Sequence, residues 1–212
     1  MNKPMYTMQH GIALFAALIA LVVMTLSTIS LVRAVDTSNL ILGNMSFKND
    51  TINASDVVIE QARSWIGTQS QATLNNNGTS GSGYYASADS STGVNDSTTD
   101  FLGTKTSTTS DDVNWDGLCN NCGAVVAHYS NGGTLLNVNS MPAAYLIIRL
   151  CDQVGVTDFI NHCRGAVTGS TDSTNIYYRI ITRISGPRNT YSYAEAVVRT
   201  NQRVSWREMI SL

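Results

Sequence analysis

IALFAALIALVVMTLSTISLV, residues 12–32, runs for 21 residues without a charge. At about 1.5 Å per helical residue it spans roughly 30 Å, the hydrocarbon thickness of a bilayer. A cleaved secretory signal has a shorter apolar core, of about 7 to 15 residues, followed by a small-x-small site. The run therefore predicts one membrane-spanning helix that is not removed as an ordinary signal peptide.

The flanks and the composition place the rest of the chain outside the membrane. Lys3 precedes the run and Arg33 follows it, so the positive-inside rule gives only a weak orientation, with the leader in the cytoplasm. The other residues are rich in Ser, Thr, Asn and Gly, only 13% of the chain is charged, and the net charge is −2. We find no basic face for nucleic acid. A length of 212 residues allows one domain of ordinary size beside the anchor.

The helix is predicted to continue beyond the membrane run, from Ile12 through about Ile66, because no proline interrupts it. Gly43 and Asn44 have low helix propensity, which costs about 1 kcal/mol, and they predict a bend or a melted turn there. The apolar positions of this second half lie three, four or seven residues apart, which places them along one side of a helix, interrupted by Lys48 and Ser55. They are Ile41, Met45, Ile52, Ile59, Ala62 and Ile66. This amphipathic half is expected to pack on a sheet, with a juxtamembrane stalk helix as the alternative.

The remainder of the chain divides into a polar middle and a β-rich end. Residues 69–112 are Gly-rich and non-periodic, which predicts loops or short irregular strands. Residues 145–152, 175–185 and 190–200 are rich in β-branched and aromatic side chains and predict strands. GPRN joins the last two, which favours an antiparallel hairpin. The predicted fold class is α+β, with the long N-terminal helix packed on a C-terminal antiparallel sheet.

The predicted organisation follows from these changes of pattern. It comprises a leader (1–11), a transmembrane helix (12–33), the amphipathic half of the same helix (34–66), a polar connecting region (67–118) and the β-sheet part of the head (119–212).

Both ends of the chain resemble one family. The leader ending MQHG and the IALFAALIALVV that follows resemble a class III signal, which prepilin peptidase cuts. LGNMSFKNDTINASDVVIEQARSWI, residues 42–66, resembles the N-terminal signature of PilX-type minor pilins, and IYYRIITRISGPRNTYSYAEAVV, residues 176–198, is similar to the closing hairpin of that family. The resemblance implies a type IV pilin fold.

The resemblance assigns roles to three positions. Cleavage after Gly11 makes Ile12 the new N-terminus, which the family N-methylates, and a glycine without a side chain lets the scissile backbone approach the protease. Ala16 stands at the fifth mature position, where the family's usual residue is glutamate. Because a carboxylate in hydrocarbon is costly without a partner, a subunit with Ala16 needs no earlier neighbour. This departure favours a place at the tip or the start of a filament.

The implied function is that of a structural minor pilin that initiates or caps a type IV pilus within a tip-associated complex. Its implied partners are the major pilin, other minor pilins, a PilY-type tip adhesin, prepilin peptidase and the inner-membrane assembly platform. It is expected in the inner membrane as a single-pass protein with its head in the periplasm, and then in the extracellular pilus. Two alternatives stay open: a type II secretion minor pseudopilin, and a signal-anchored surface glycoprotein. The second rests on acceptor motifs at Asn44, Asn49, Asn53, Asn77 and Asn95.

Four cysteines allow three disulfide connectivities. We favour Cys119 with Cys122 and Cys151 with Cys163, while crossed pairing remains open. The CxxC pair lacks the βαβ context of a thioredoxin-like site and the second close pair of most zinc sites.

A second local motif is weaker. Asp112, Asn114 and Asp116 resemble the first half of a calcium loop, but Gly123 stands where the bidentate glutamate belongs, so an Asx-rich turn is the preferred interpretation. We predict no metal and no cofactor.

No catalytic motif accompanies these features. The chain has three histidines, His10, His128 and His162, and lacks HExxH, GxSxG and a phosphate-binding glycine loop. We therefore predict a non-enzymatic protein. The sequence contains two tyrosine pairs, Tyr84 with Tyr85 and Tyr191 with Tyr193. We interpret them as residues that pack within the fold, in preference to residues that contact a partner.

Overall fold

The structure is a computed structural model of the chain. It describes residues 10–78, 82–89, 94, 101, 113–115, 124–128, 130–131, 134–135, 137–138, 140–166, 176–186, 190–199 and 202–209.

The chain forms two compact units, Met1–Phe47 and Lys48–Leu212. Helix α1 (His10–Thr68) supplies the described part of the first unit and the beginning of the second. The predicted melted turn is wrong, because Gly43 and Asn44 are both helical. A helix that is already formed gains one hydrogen bond for each further residue, which outweighs the propensity cost of a single glycine.

The second unit, which we call the head, is an α+β structure, as predicted. Two short helices follow α1: α2 (Gln71–Leu74) and α3 (Phe159–His162). Four longer strands form most of the sheet: β8 (Met141–Arg149), β9 (Tyr178–Ser185), β10 (Tyr191–Arg199) and β11 (Gln202–Met209). Seven two-residue strands precede them: β1 (Tyr84–Tyr85), β2 (Val113–Asn114), β3 (Ala124–Val125), β4 (Ala127–His128), β5 (Ser130–Asn131), β6 (Thr134–Leu135) and β7 (Asn137–Val138).

The main sheet has the order β1-β8-β9-β10-β11, and β4 and β7 also pair with β8. β1 runs parallel to β8, whereas β8 to β11 are antiparallel. The predicted hairpin is confirmed, since β9 and β10 pair along their length and the Gly186 amide donates to the Thr190 carbonyl at 2.8 Å.

Strand β11 was not predicted. Its sequence, QRVSWREM, is polar because it lies at the edge of the sheet, where most of its side chains are exposed. A β-bulge between Val197 and Val198 of β10 shifts the register of the pair. Edge strands commonly carry charges and bulges, so the usual hydrophobic alternation is lost.

The C-terminal part of α1 crosses one face of the sheet from edge to edge. Near its beginning, Lys48 Nζ lies 3.2 Å from Glu208 Oε2, and Arg203 of β11 donates to Asp56 Oδ1 at 2.6 Å. Near its end, Trp65 packs against Tyr84 of β1, with 5.4 Å between ring centroids. The helix therefore covers the whole width of the sheet, as the predicted helix-on-sheet layer requires.

The buried side of this helix differs in part from the predicted stripe. Ile59, Ala62 and Ile66 are fully buried, as predicted, together with Val58 and Ala54. Ile41 and Met45 lie in the first unit and are exposed, and Ile52 is only half-buried.

Two hydroxyl residues take part in that buried side. Thr51 and Ser55 are buried, and their hydroxyls donate to the helix carbonyls of Lys48 and Ile52 at 2.8 and 2.7 Å. Because the helix satisfies these hydroxyls internally, the small side chains can face the sheet. Ser55 is therefore no interruption of the stripe.

The opposite face of the sheet is covered by residues from the middle of the chain. Val94, Phe101, Val113 and Trp115 are each at most 7% exposed and pack with side chains of β8, β9 and β10. We call this the second core layer. The short strands in the middle of the chain fit the prediction. The polar composition of this region, however, did not indicate that its few apolar side chains form a second hydrophobic layer on the sheet.

The predicted Cys151–Cys163 disulfide is confirmed, with 4.0 Å between its Cα atoms, and it closes a loop that contains α3. The Gly155 amide ties this loop to the Asn75 carbonyl at 2.7 Å, and the positive φ of Gly155, 77°, is a conformation that suits glycine. Cys119 and Cys122 lie outside the described residues.

Replacing Cys151 and Cys163 together by serine is expected to lower the free energy of unfolding of the head by about 3 kcal/mol, mainly by releasing the constraint on the unfolded chain. Urea unfolding of the full chain in detergent measures this. Thr157→Ser, a change at an exposed position of the same loop, is the control and is expected to be neutral. A double variant as stable as the parent would contradict a stabilising role for the bridge.

Candidate functional site

The candidate site is the surface of α1 in the first unit, which we call the N-terminal surface, residues 12–46. Every side chain on it is exposed, including Leu14 at 73%, Phe15 at 66% and Met24 at 70%. Within the described part of the chain, α1 is the one helix long and apolar enough to cross a membrane. An apolar surface on all sides of a helix needs lipid or other protein around it.

Three of the four hydroxyl side chains of the apolar run are hydrogen-bonded in a way that suits such an environment. The hydroxyls of Thr25, Ser27 and Thr28 donate to helix carbonyls three or four residues earlier, at 2.8 to 2.9 Å. Each donor is thus satisfied within the helix, which removes the cost of an unpaired hydroxyl in hydrocarbon. The first charge after Ile12 is Arg33.

One side of this helix has a shallow apolar groove. Small residues, Ala17, Ala20, Thr25 and Thr28, alternate there with the larger side chains of Leu21, Met24 and Ile29. Small side chains allow the backbones of two helices to approach closely in a membrane. This side of the N-terminal surface therefore has the mixture of small and large side chains that is common where membrane helices pack.

The residues assigned by resemblance lie at the start of α1. Gly11 and Ile12 are its second and third residues, Ile12 is 64% exposed, and Ala16 is exposed about one turn later.

The calcium hypothesis remains untested. Asp112 and Asp116 lie outside the described residues, and Asn114 is described only as part of the backbone of β2. In the described part of the chain, no three His, Cys, Asp or Glu residues come together as a metal site.

The described histidine and tyrosine side chains are used mainly in structural contacts. His162 Nδ1 lies 3.0 Å from Asp152 Oδ1 on the disulfide loop. Tyr84, Tyr85 and Tyr193 are buried, which agrees with packing, whereas Tyr191 is 42% exposed.

Four of the five acceptor asparagines are described. Asn44, Asn49 and Asn53 lie exposed on α1. Asn77 Oδ1 accepts a hydrogen bond from the Ala86 amide at 2.9 Å, so this side chain ties the segment before β1 to the residue that follows β1. Asn95 is outside the described residues.

An acidic side chain under the second core layer was missed by the sequence analysis. Glu195 of β10 is 7% exposed, and its Oε2 accepts from Arg179 at 3.0 Å and from Arg207 at 2.7 Å. Arg207 is the direct cross-strand partner of Glu195 on β11, and Arg179 is two residues from its direct partner on β9, Ile181. The cluster therefore depends on strand register, which no local pattern specifies.

Comparison with protein-family models, curated proteins and solved structures finds no match to this chain.

Proposed function

We propose that this chain is a structural minor pilin that initiates or caps a type IV pilus, within a tip-associated complex. The observation that carries the proposal is the contrast along one helix. Residues 12–46 of α1 are exposed on every side, whereas the sheet-facing side chains beyond Lys48 are buried in the head. A pilin-like protein needs both parts: one to leave the bilayer for a bundle of helices, and one to form the head.

The order of events follows from the same features. In this proposal the chain is first held in the inner membrane by residues 12–32, with its head in the periplasm, and prepilin peptidase removes the leader after Gly11. The assembly platform then lifts the helix out of the bilayer. Its apolar surface, including the groove of small residues, exchanges lipid for helices of the major pilin and of other minor pilins. The head is left to contact a PilY-type tip adhesin.

Ala16 is the residue that distinguishes an initiating subunit in this proposal. Deleting the gene is expected to reduce the number of pili several-fold, with little change in those that remain. Ala16→Glu is expected to impair initiation or to move the protein from the tip to the shaft, because the new carboxylate costs a few kcal/mol unless an earlier subunit's ammonium pairs with it. Counting pili and immunogold labelling of sheared filaments measure both effects.

Ala17→Glu is the matched control, because it introduces the same group one residue away, on a different side of the helix. It is expected to impair assembly without moving the label to the shaft. The experiment requires a strain without pilus retraction or redundant copies. Normal piliation in the deletion strain would contradict an initiating role. Normal piliation together with a defect in protein secretion would favour the type II pseudopilin.

A further inference from the structure

Arg149, at the end of β8, is the largest fully buried side chain of the described residues, with an exposure of 0%. Its Nη1 atom donates to the Leu74 carbonyl at 2.7 Å and to Asn75 Oδ1 at 2.9 Å. Its guanidinium carbon lies 5.0 Å from the ring centroid of Phe159, on α3. One edge and one face of the guanidinium are therefore engaged by protein groups.

The opposite edge of the Arg149 guanidinium is not engaged by any described group. Arg149 Nε and Nη2 are buried and have no hydrogen-bond partner among the described residues. These two nitrogens hold parallel N–H bonds on the same side of the guanidinium, the fork with which arginine binds anions. A buried cation with unpaired donors is costly, so this edge requires an acceptor.

No described carboxylate forms an ion pair with Arg149. The ion-paired carboxylates of Asp56, Glu60, Asp152, Glu195 and Glu208 use other partners, on α1, on the disulfide loop or across the sheet. The positive charge of Arg149 is therefore unbalanced within the described part of the head.

Tyr178 supplies a third donor. It is the direct cross-strand partner of Arg149 on β9, is fully buried, and its hydroxyl has no hydrogen-bond partner among the described residues. Burial raises the pKa of Tyr178 to about 12, against the opposing effect of the Arg149 charge, so the hydroxyl keeps its proton at neutral pH. The neighbouring Tyr84 hydroxyl already donates to the Leu74 carbonyl at 2.6 Å.

We propose that the Nε–Nη2 edge of Arg149 and the hydroxyl of Tyr178 bind one small inorganic anion inside the head, with chloride as the physiological occupant. The Arg149 edge can only donate, whereas the Tyr178 hydroxyl can donate or accept and is able to turn its hydrogen toward an anion beside the positive charge. A water molecule could also accept from the Arg149 edge, but the Tyr178 oxygen could take only one of its two hydrogens, and the other would still need an acceptor. Because both residues are fully buried, the ligand has to be small and to bind as the head folds. This inference does not depend on the proposed function.

Unfolding of the full chain in detergent tests the site, with chloride replaced by gluconate at constant ionic strength. Above the dissociation constant, each tenfold rise in chloride is expected to raise the ratio of folded to unfolded protein about tenfold. Crystals grown in bromide are expected to give an anomalous peak beside Arg149 Nε and Nη2.

Tyr178→Phe removes one donor and keeps the ring, so we expect the variant to fold and to require at least several-fold more chloride for the same stabilisation. Tyr145→Phe, also at a buried tyrosine of the sheet, is the control and is expected to respond to chloride like the parent. The same stability in chloride and gluconate would overturn the proposal. So would an ordered water molecule or a carboxylate of this chain seen beside that edge in a bromide-grown crystal.

Discussion

Gly11→Val is expected to leave the leader on the chain, so that processing falls from nearly complete to undetectable and the variant does not enter filaments. Under the proposed function, the bond after Gly11 has to approach the catalytic groups of a protease at the membrane surface. A β-branched side chain beside that bond obstructs the approach and stiffens the backbone. Intact-mass analysis of protein from native membranes distinguishes a chain that begins at Ile12 from one that keeps residues 1–11.

Gly43→Val is the matched control for this experiment. Gly43 lies in the same helix, and a Cβ atom added there meets nothing within 4 Å beyond its chain neighbours and the helix's own backbone, so this variant is expected to be processed normally. A Gly11→Val protein that still begins at Ile12 would contradict the role of the glycine. A parent protein that keeps Met1, or that begins beyond Val32, would contradict processing by prepilin peptidase.

Trp115→Ala is expected to lower the free energy of unfolding of the head by about 3 to 5 kcal/mol, the usual cost of removing a large buried aromatic side chain. Trp115 is 3% exposed, its ring centroid lies 5.9 Å from that of Tyr193, and its indole nitrogen donates to the Phe101 carbonyl at 3.0 Å. The substitution also removes the ring beneath the Arg183 guanidinium, 5.5 Å away. Urea unfolding of the full chain in detergent measures the loss.

A pair of milder substitutions tests the same layer. Trp115→Phe removes a buried hydrogen bond and is expected to cost about 1 to 3 kcal/mol, because the Phe101 carbonyl is left unpaired. The indole nitrogen of Trp206, on β11, has no hydrogen-bond partner among the described residues, so Trp206→Phe is expected to be nearly neutral. Equal losses for the two variants would contradict a special role for Trp115. A neutral Trp115→Ala would mean that the second core layer contributes nothing to stability.

Several parts of the structure were accessible from short stretches of sequence, because their causes are local. The uncharged run from Ile12 to Val32 predicted the apolar helix, and the β-branched and aromatic residues on both sides of GPRN predicted the β9–β10 hairpin. The spacing of Cys151 and Cys163, in a region predicted to be translocated, favoured the disulfide that the structure contains. At the candidate site, Gly11, Ile12 and Ala16 were identified from a resemblance at the N-terminus, and their roles remain predictions.

Other parts of the structure depend on contacts between residues that are distant in the chain, and these could not be predicted from local sequence. Strand β11 is polar because it lies at the edge of the sheet, and its pairing with β10 depends on register. Trp115 belongs to a core because β8, β9 and β10 present an apolar face to it.

Arg149 is the clearest case of this distinction. In the sequence Arg149 follows a run of apolar residues, and nothing in the neighbouring residues indicates that its side chain is buried. It is buried because α2 and α3, from either side of β8 in the chain, supply the Leu74 carbonyl, Asn75 and the ring of Phe159. Local sequence was enough to predict the apolar helix and the hairpin, since neighbouring residues specify them, and it favoured one cysteine pairing without excluding the others. The tertiary structure decided which polar side chains are buried, because burial depends on what the rest of the chain packs against them.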